Sequence, residues 1–259
     1  MATQEKTLSV WGDKVHPKVR IAGSGAPLIY LHGGYGPVED EFVAELAKTA
    51  TVHAPEHPGL TRGDEDSIKS LDDFWDIVLY YYDLFDKLGL KSPVVVGHSF
   101  GAMVAAEIAA TDPSRVSKLV LLSPLGLWRD DAPIRNYIVT PQADVPALMF
   151  RDPHHPALKR IIMNPEDQDG LIRITWALGC TGKYMWPLPD KGLRKRMHRI
   201  KAPTLIVWGA DDKLVPAVYA EDFKRGIPNA KIEMMKGVGH MSVLEDPARV
   251  AAAVASFVG

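Results

Sequence analysis

The stretch VVVGHSFGAMVAA, Val94 to Ala106, decides how the chain is read. Three β-branched residues lead into Gly97-His98-Ser99-Phe100-Gly101, and small apolar residues then follow at helical spacing. A serine at the start of a helix is a common N-cap, because its hydroxyl accepts one of the unpaired amides of the first turn. A serine between two glycines on a strand-to-helix turn can instead be an exposed nucleophile. That turn strains its backbone, so the residues two positions away on either side must be small. The helix behind it points its N-terminus at developing negative charge. The pentapeptide alone decides little. With glycine near 7% of residues, a G-x-S-x-G arises by chance in roughly one chain in ten of this length. Its surroundings carry the weight.

Outward from Ser99, strands and helices alternate. PVVVGH (93–98) is wholly apolar, as expected of a parallel strand covered on both faces. FGAMVAAEIAATD (100–112) reads as a helix and KLVLLSP (118–124) as another buried strand. Upstream, KVRIAG (18–23), PLIYLH (27–32) and TVHAP (51–55) read as strands bounded by Gly and Pro. EDEFVAELAKTA (39–50) places Phe42, Leu46 and Ala50 at four-residue spacing, a helix face. SLDDFWDIVLYYYDLFDKLGL (70–90) is the strongest helix pattern, with Ser70 and Asp73 resembling a capping box and Gly89 as the stop. From Leu125 to about Ile200 no strong strand pattern occurs. HPALKRIIM and GLIRITWALGC are the clearest helices there, among Trp128, Trp176 and Trp186. The alternation resumes with PTLIVWG (203–209) and KIEMMK (231–236) and ends in the helix DPARVAAAVASFV (246–258), with Pro247 in its first turn. Alternation of this kind implies a mostly parallel sheet with helices on both faces. A stretch of about 75 helical residues is too long for a loop. The expected organisation is an α/β core of residues 1–124 and 201–259 with an inserted helical cap at 125–200.

Composition narrows the class. The 259 residues are 46% hydrophobic and 24% charged with a net charge of −2, so no global field selects nucleic acid or an anionic membrane. One cysteine, Cys180, excludes an internal disulfide framework and a Cys-rich metal site. MATQEKTLSV holds no long apolar run, so no secretory signal is expected, and a cytoplasmic location is. No run approaches the roughly 20 apolar residues of a membrane span. KGLRKRMHRIK (191–201) is the most basic run. Leu193, Met197 and Ile200 fall at helical spacing in it, which favours an amphipathic helix with a solvated basic face over a nucleic-acid patch. GGYG lacks the glycine spacing of a dinucleotide fingerprint. His53 and His57 have no partner set for a metal, and His154-His155 reads as a surface feature. Neither cofactor nor metal is expected. The partner is a small-molecule substrate, and the oligomeric state, a homodimer included, is open.

A serine nucleophile needs a base held by a third group. Of the histidines downstream, His154, His155 and His198 fall in the cap segment. His240, in KGVGHMSVLEDP, follows a strand and precedes the last helix, which puts it at the sheet edge from which Ser99 emerges. An acid belongs on a loop after another strand, and LIVWGADDKLVP supplies Asp211 or Asp212, with Asp212 preferred. The position after Leu122 holds Ser123 and Pro124 and no acid. LIYLHGGYGP places His32-Gly33-Gly34 directly after a strand, where a backbone amide, taken as that of Gly34, joins the Phe100 amide in binding an oxyanion. His32 reads as a structural residue bonding within its own loop. Tyr35, Trp128, Trp176, Trp186 and Met241 are the candidate substrate contacts.

HGG at 32–34, GHSFG at 97–101, GADD at 209–212 and GVGH at 237–240 together resemble the α/β-hydrolase family over essentially the whole chain, more narrowly its capped esterases and C–C hydrolases. The resemblance implies the α/β-hydrolase fold with a helical cap, a triad of Ser99, Asp212 and His240, and Asp212 rather than Asp211 as its acid. Haloalkane dehalogenases and most epoxide hydrolases of this fold place an aspartate where this chain has Ser99, so those chemistries are disfavoured. The expected activity is hydrolysis of a carboxylic ester, thioester or lactone of a small, largely apolar substrate. The alternative is C–C cleavage of ring-fission products. Those relatives commonly carry Trp after the triad histidine and Asn before the nucleophile, where this chain has Met241 and His98. Arg151 or Arg173 could still grip a carboxylate. A second alternative is a small-molecule receptor on the same fold.

Overall fold

The computed structural model describes residues 3–259. Eight strands form one sheet: β1 (Thr3–Thr7), β2 (Lys18–Ala22), β3 (Pro27–Leu31), β4 (Thr51–Pro55), β5 (Val94–His98), β6 (Lys118–Leu122), β7 (Thr204–Gly209) and β8 (Ala230–Met235). Their order is β1-β2-β4-β3-β5-β6-β7-β8. β2 pairs antiparallel with β1 and β4, and every other pairing is parallel. Each of the seven strands expected from the sequence is present. The eighth, β1, had no readable signal: TQEKT is exposed along its whole length and has no apolar face.

The helices are α1 (Asp40–Leu46), α2 (Phe74–Lys87), α3 (Phe100–Thr111), α4 (Val145–Met149), α5 (Gln168–Met185), α6 (Val218–Gly226), α7 (Ser242–Glu245) and α8 (Pro247–Val258). α1 packs on α8, and α2 packs on α3. β5 is buried at every residue, as its unbroken Val-Val-Val requires of a strand covered on both faces. α3 is buried from Phe100 to Ala110. Its alanines let it lie close under the sheet, and its one buried charge, Glu107, is met by Arg196 through bonds of 2.9 and 2.6 Å.

Among the described residues no strand lies between Leu122 and Thr204. This inserted segment contains α4 and α5 and is tied down over the loops that follow β3 and β4. Thr181 Oγ1 donates to Gly34 O at 3.1 Å, Trp176 Nε1 to Gly59 O at 2.7 Å and Lys183 Nζ to Ile68 O at 2.9 Å. Its first turn is moored from the other side. Asp222 of α6 is buried and meets Arg129, Arg194 and Arg225, so this carboxylate is compensated rather than left costly.

Three local expectations are corrected. Ser70 does not cap α2. It ends a 3-10 turn, Glu65–Ser70, and Asp73 is the cap, its carboxylate accepting the amides of Trp75 and Asp76. HPALKRIIM forms one 3-10 turn, Pro156–Arg160, instead of a helix. KGLRKRMHRIK forms two such turns, Leu193–Lys195 and Met197–Arg199. The run is bounded by Gly192, at φ 85°, and Pro203. Leu193, Met197 and Ile200 are buried nonetheless. The basic side chains are not a solvated face throughout: Arg196 holds Glu107, and Arg199 donates to the α3 carbonyls of Ala110 and Thr111.

Candidate active site

Ser99 stands where β5 turns into α3, with φ 53° and ψ −112°. Positive φ is uncommon for a side-chain-bearing residue and costs on the order of 1–3 kcal/mol. The strain is held from both sides. The Ser99 amide donates to Leu122 O at 2.9 Å, and its carbonyl accepts the amides of Met103 and Leu125. A Cβ on Gly97 would run into the backbone of Gly101 and Ala102, and one on Gly101 into the carbonyls of Leu31 and His32. This is the steric reason for both glycines of the motif. Ser99 holds the N-cap position but makes no capping bond. Its Oγ lies 2.8 Å from His240 Nε2 instead.

His240 is fully buried in the loop between β8 and α7, with Nδ1 2.9 Å from Asp212 Oδ2. A carboxylate accepts, so Nδ1 carries the hydrogen and Nε2 offers its lone pair to the serine hydroxyl. Asp212 follows β7, and its other oxygen is fixed by the amides of Leu214 and Val215 at 3.0 and 2.8 Å. A Cβ on Gly209 would collide with the backbone of Val238 and Gly239, so the acid and histidine loops are in direct backbone contact. Glu245 braces the histidine loop by accepting the amides of Gly239 and Arg151, and burial raises its pKa. Asp211 faces outward. It accepts the Gly237 amide and lies 3.6 Å from Arg151.

The loop after β3 completes the constellation. Among the described residues no acceptor meets the amides of Gly34 and Phe100, so both are free to bind an anionic oxygen. The loop is pinned by a chain of buried rings. The His57 amide donates to His32 Nε2, so His32 carries its hydrogen on Nδ1 and donates it to Gly33 O at 2.7 Å. His57 Nε2 donates to His32 O at 2.9 Å, leaving Nδ1 to accept from the Tyr81 hydroxyl. In this arrangement both rings are neutral, and protonating His32 Nε2 costs the bond from the His57 amide. Burial pushes His57 from 6.5 down to about 4 and holds His32 well below its ordinary value.

The unfolded chain therefore takes protons in mild acid that the folded chain refuses. The stability this represents is full above the unfolded value near 6.5 and is lost as pH falls to about 4; for His57 it amounts to about 3 kcal/mol at the acid end. Thermal melts between about pH 7.5 and 5 should show Tm falling with acid, and His57→Gln should flatten that slope. An unchanged slope in the variant would remove His57 as the cause.

The candidate substrate contacts divide. Trp128 and Trp186 line one cavity of about 90 Å³, together with Leu125, Tyr137, Ile138 and Met185. Tyr35 is buried against Tyr137, ring centroids 5.6 Å apart. Met241 is buried, and its amide donates to Met149 O. Tyr35, Met241 and Trp176 are all outside the cavity lining, and the Trp176 indole serves the tether to Gly59. Tyr137, absent from the sequence reading, has a buried hydroxyl with no hydrogen-bond partner among the described residues. That hydroxyl lies so close over Gly34 that a Cβ there would collide with it. No periodicity or motif marks Tyr137, because it sits in an irregular segment.

These features define a class. The chain belongs to the alpha/beta hydrolase family, whose sequence profile matches residues 28–253. It is 27% identical over 238 residues to the dihydrolipoyllysine-residue acetyltransferase component of the acetoin cleaving system of Cupriavidus necator, a match covering 87% of this chain and 62% of that protein. It thus spans less than two thirds of that relative's length. It is 24% identical over 256 residues to the 2-hydroxy-6-oxo-6-phenylhexa-2,4-dienoate hydrolase of Comamonas testosteroni, covering 86% of this chain and 84% of that enzyme. In three dimensions it is similar to the 2-hydroxy-6-oxo-6-phenylhexa-2,4-dienoate hydrolase of Rhodococcus sp. strain RHA1, with a TM-score of 0.80, 18% identity, and coverage of 100% of this chain and 99% of that one. Further similar proteins are named as a monoacylglycerol lipase of Homo sapiens and a naproxen esterase of Bacillus subtilis. Among the described residues no helix is long and apolar enough to cross a membrane.

Proposed function

We propose that the chain is a serine hydrolase that cleaves a carboxylic ester, thioester or lactone of a small, largely apolar substrate through an acyl-enzyme. The observation that carries this reading is the unbroken Ser99–His240–Asp212 chain at 2.8 and 2.9 Å. Ser99 Oγ attacks the substrate carbonyl carbon as its proton passes to His240 Nε2. The oxyanion rests on the amides of Gly34 and Phe100. When the tetrahedral adduct collapses, His240 gives that proton to the departing alkoxide, thiolate or ring oxygen. Water then attacks the acyl-enzyme, His240 takes its proton, and the acid leaves as Ser99 recovers it. Asp212 keeps the imidazole in the tautomer that both half-reactions need.

The cavity supports a short acyl group. Two of its lining residues also contact the reaction centre: the Leu125 amide bonds Ser99 O, and the Tyr137 hydroxyl overlies Gly34. None of its lining comes from the histidine loop, and Ser99, Gly34 and Phe100 are likewise outside it, so its assignment to the acyl group rests on the neighbouring Leu125 and Tyr137. At about 90 Å³ it is smaller than the roughly 150 Å³ apolar cavity that takes a benzene, which favours an aliphatic chain of a few carbons over an aryl ring.

The second reading, C–C hydrolysis, draws on the ring-fission relatives. Two observations weigh against it. Arg151 is engaged with Asp211, and Arg173 lies against the carbonyl of Arg160. A panel of p-nitrophenyl esters from acetate to octanoate, with benzoate and small lactones, tests the proposal. kcat/KM should be highest for the short aliphatic acyl groups and low for benzoate. Hydrolysis of a dienoic ring-fission product without any ester turnover would replace it with the C–C reading. Ligand-induced stabilisation with no turnover of either kind would make the chain a receptor.

A further inference from the structure

Three loops meet behind the triad, and one buried pair joins them. Glu39 is 1% exposed. Its Oε1 accepts the Gly33 amide at 3.3 Å, and its Oε2 accepts the Val38 amide at 3.1 Å. The same Oε1 lies 3.6 Å from Nδ1 of His98, whose side chain is wholly buried. On its far side, His98 Nε2 is 3.1 Å from the main-chain oxygen of His240. A carbonyl oxygen only accepts, so Nε2 carries the hydrogen and donates it. Gly33 closes the arrangement: a Cβ there would stand 2.9 Å from His98 Nδ1 and 3.6 Å from Glu39 Oε1. The imidazole edge thus rests on bare backbone of the oxyanion loop. Hydrogen bonds tie Glu39 to the Gly33 amide and His98 to the backbone of the triad histidine, and the two side chains meet in a buried 3.6 Å contact in which His98 Nδ1 has no hydrogen-bond partner among the described residues. The hydrolytic steps above use neither side chain, and an uncompensated buried carboxylate would be expensive to keep.

We propose that Glu39 and His98 are positioning residues that fix the oxyanion loop and His240 relative to each other, so that the oxyanion donors and the base keep one register around Ser99. The catalytic consequence rests on the serine-hydrolase reading; the mechanical coupling of the two loops does not. Displacing reacting groups by about 1 Å costs up to about 10²-fold in rate. His98→Leu, which removes the donor to His240 O, should therefore lower kcat by about 10- to 100-fold with KM within about twofold. Affinity for an alkyl boronic acid, which mimics the tetrahedral adduct, should fall by the same factor. His98→Gln, whose amide nitrogen can reach the same carbonyl, should recover most of both.

Hydrogen–deuterium exchange reads the coupling without activity. In His98→Leu the segments 32–38 and 237–241 should both exchange faster. Glu39→Gln keeps size and one acceptor, and it should loosen 237–241 as well, although Glu39 has no hydrogen bond to that loop. If His98→Leu folded poorly, Glu39→Gln would decide. The coupling is overturned if exchange rises only in the segment next to each substitution, or if folded variants keep parental kcat and boronate affinity. A parent that hydrolysed no ester would sink the function proposed above, while the exchange result would still decide the coupling.

Discussion

Ser99→Ala is expected to lower kcat/KM for a short-chain ester by about 10⁴- to 10⁶-fold, because loss of the nucleophile disables the whole triad. The residual rate would come from the free amides of Gly34 and Phe100 acting on water attack. The fold should tolerate the change. The hydroxyl makes no capping bond, and its hydrogen bond to His240 is worth about 1 kcal/mol net, so Tm should stay within about 4 °C of the parent. A folded Ser99→Ala protein that retained more than about a tenth of parental turnover would remove Ser99 from the chemistry.

Asp212→Asn should be nearly as severe, for a different reason. The asparagine oxygen can still accept the amides of Leu214 and Val215, so the loop keeps its shape. Its NH₂ then faces His240 Nδ1 and turns that nitrogen into the acceptor. Nε2 must carry the hydrogen and can no longer take the proton of Ser99. Loss of the correct tautomer costs about 10⁴-fold in kcat in a triad of this kind, with KM little changed. Asp211→Asn is the internal control. Its carboxylate is partly exposed and bonds the Gly237 amide, so kcat should change by less than about threefold. A larger loss at Asp211 than at Asp212 would reverse the assignment of the acid.

The parts legible in the sequence share one property: each is announced by its own few residues. Val94 to Val96 must be a buried strand, Gly97 and Gly101 must flank a tight turn, and His240 and Asp212 each follow a recognisable strand. The structure then brings these separate strand ends to one edge of the sheet. What escaped detection depends on neighbours distant in the chain. β1 is a polar strand that exists through pairing with β2. Glu39 looks like an ordinary acidic residue at the start of α1, and its burial follows from the way the 33–38 loop folds over it. Tyr137 gains meaning from its position over Gly34, and the basic run at 191–201 from Glu107 and Asp222, 84 residues before it begins and 21 after it ends at the nearest. The capping reading of Ser99 failed on a detail no pattern encodes: at φ 53° its hydroxyl turns to His240 rather than to the first turn of α3.

Trapping the covalent intermediate tests the central claim most directly. The protein is mixed with excess p-nitrophenyl acetate, quenched in acid within the first turnovers, digested and examined by mass spectrometry. One acetyl group on the peptide carrying Ser99, absent from Ser99→Ala and accumulating in step with a burst of p-nitrophenol, is the predicted result. Ester hydrolysis with no acetylated peptide, or with the acetyl group on any other residue, would contradict it.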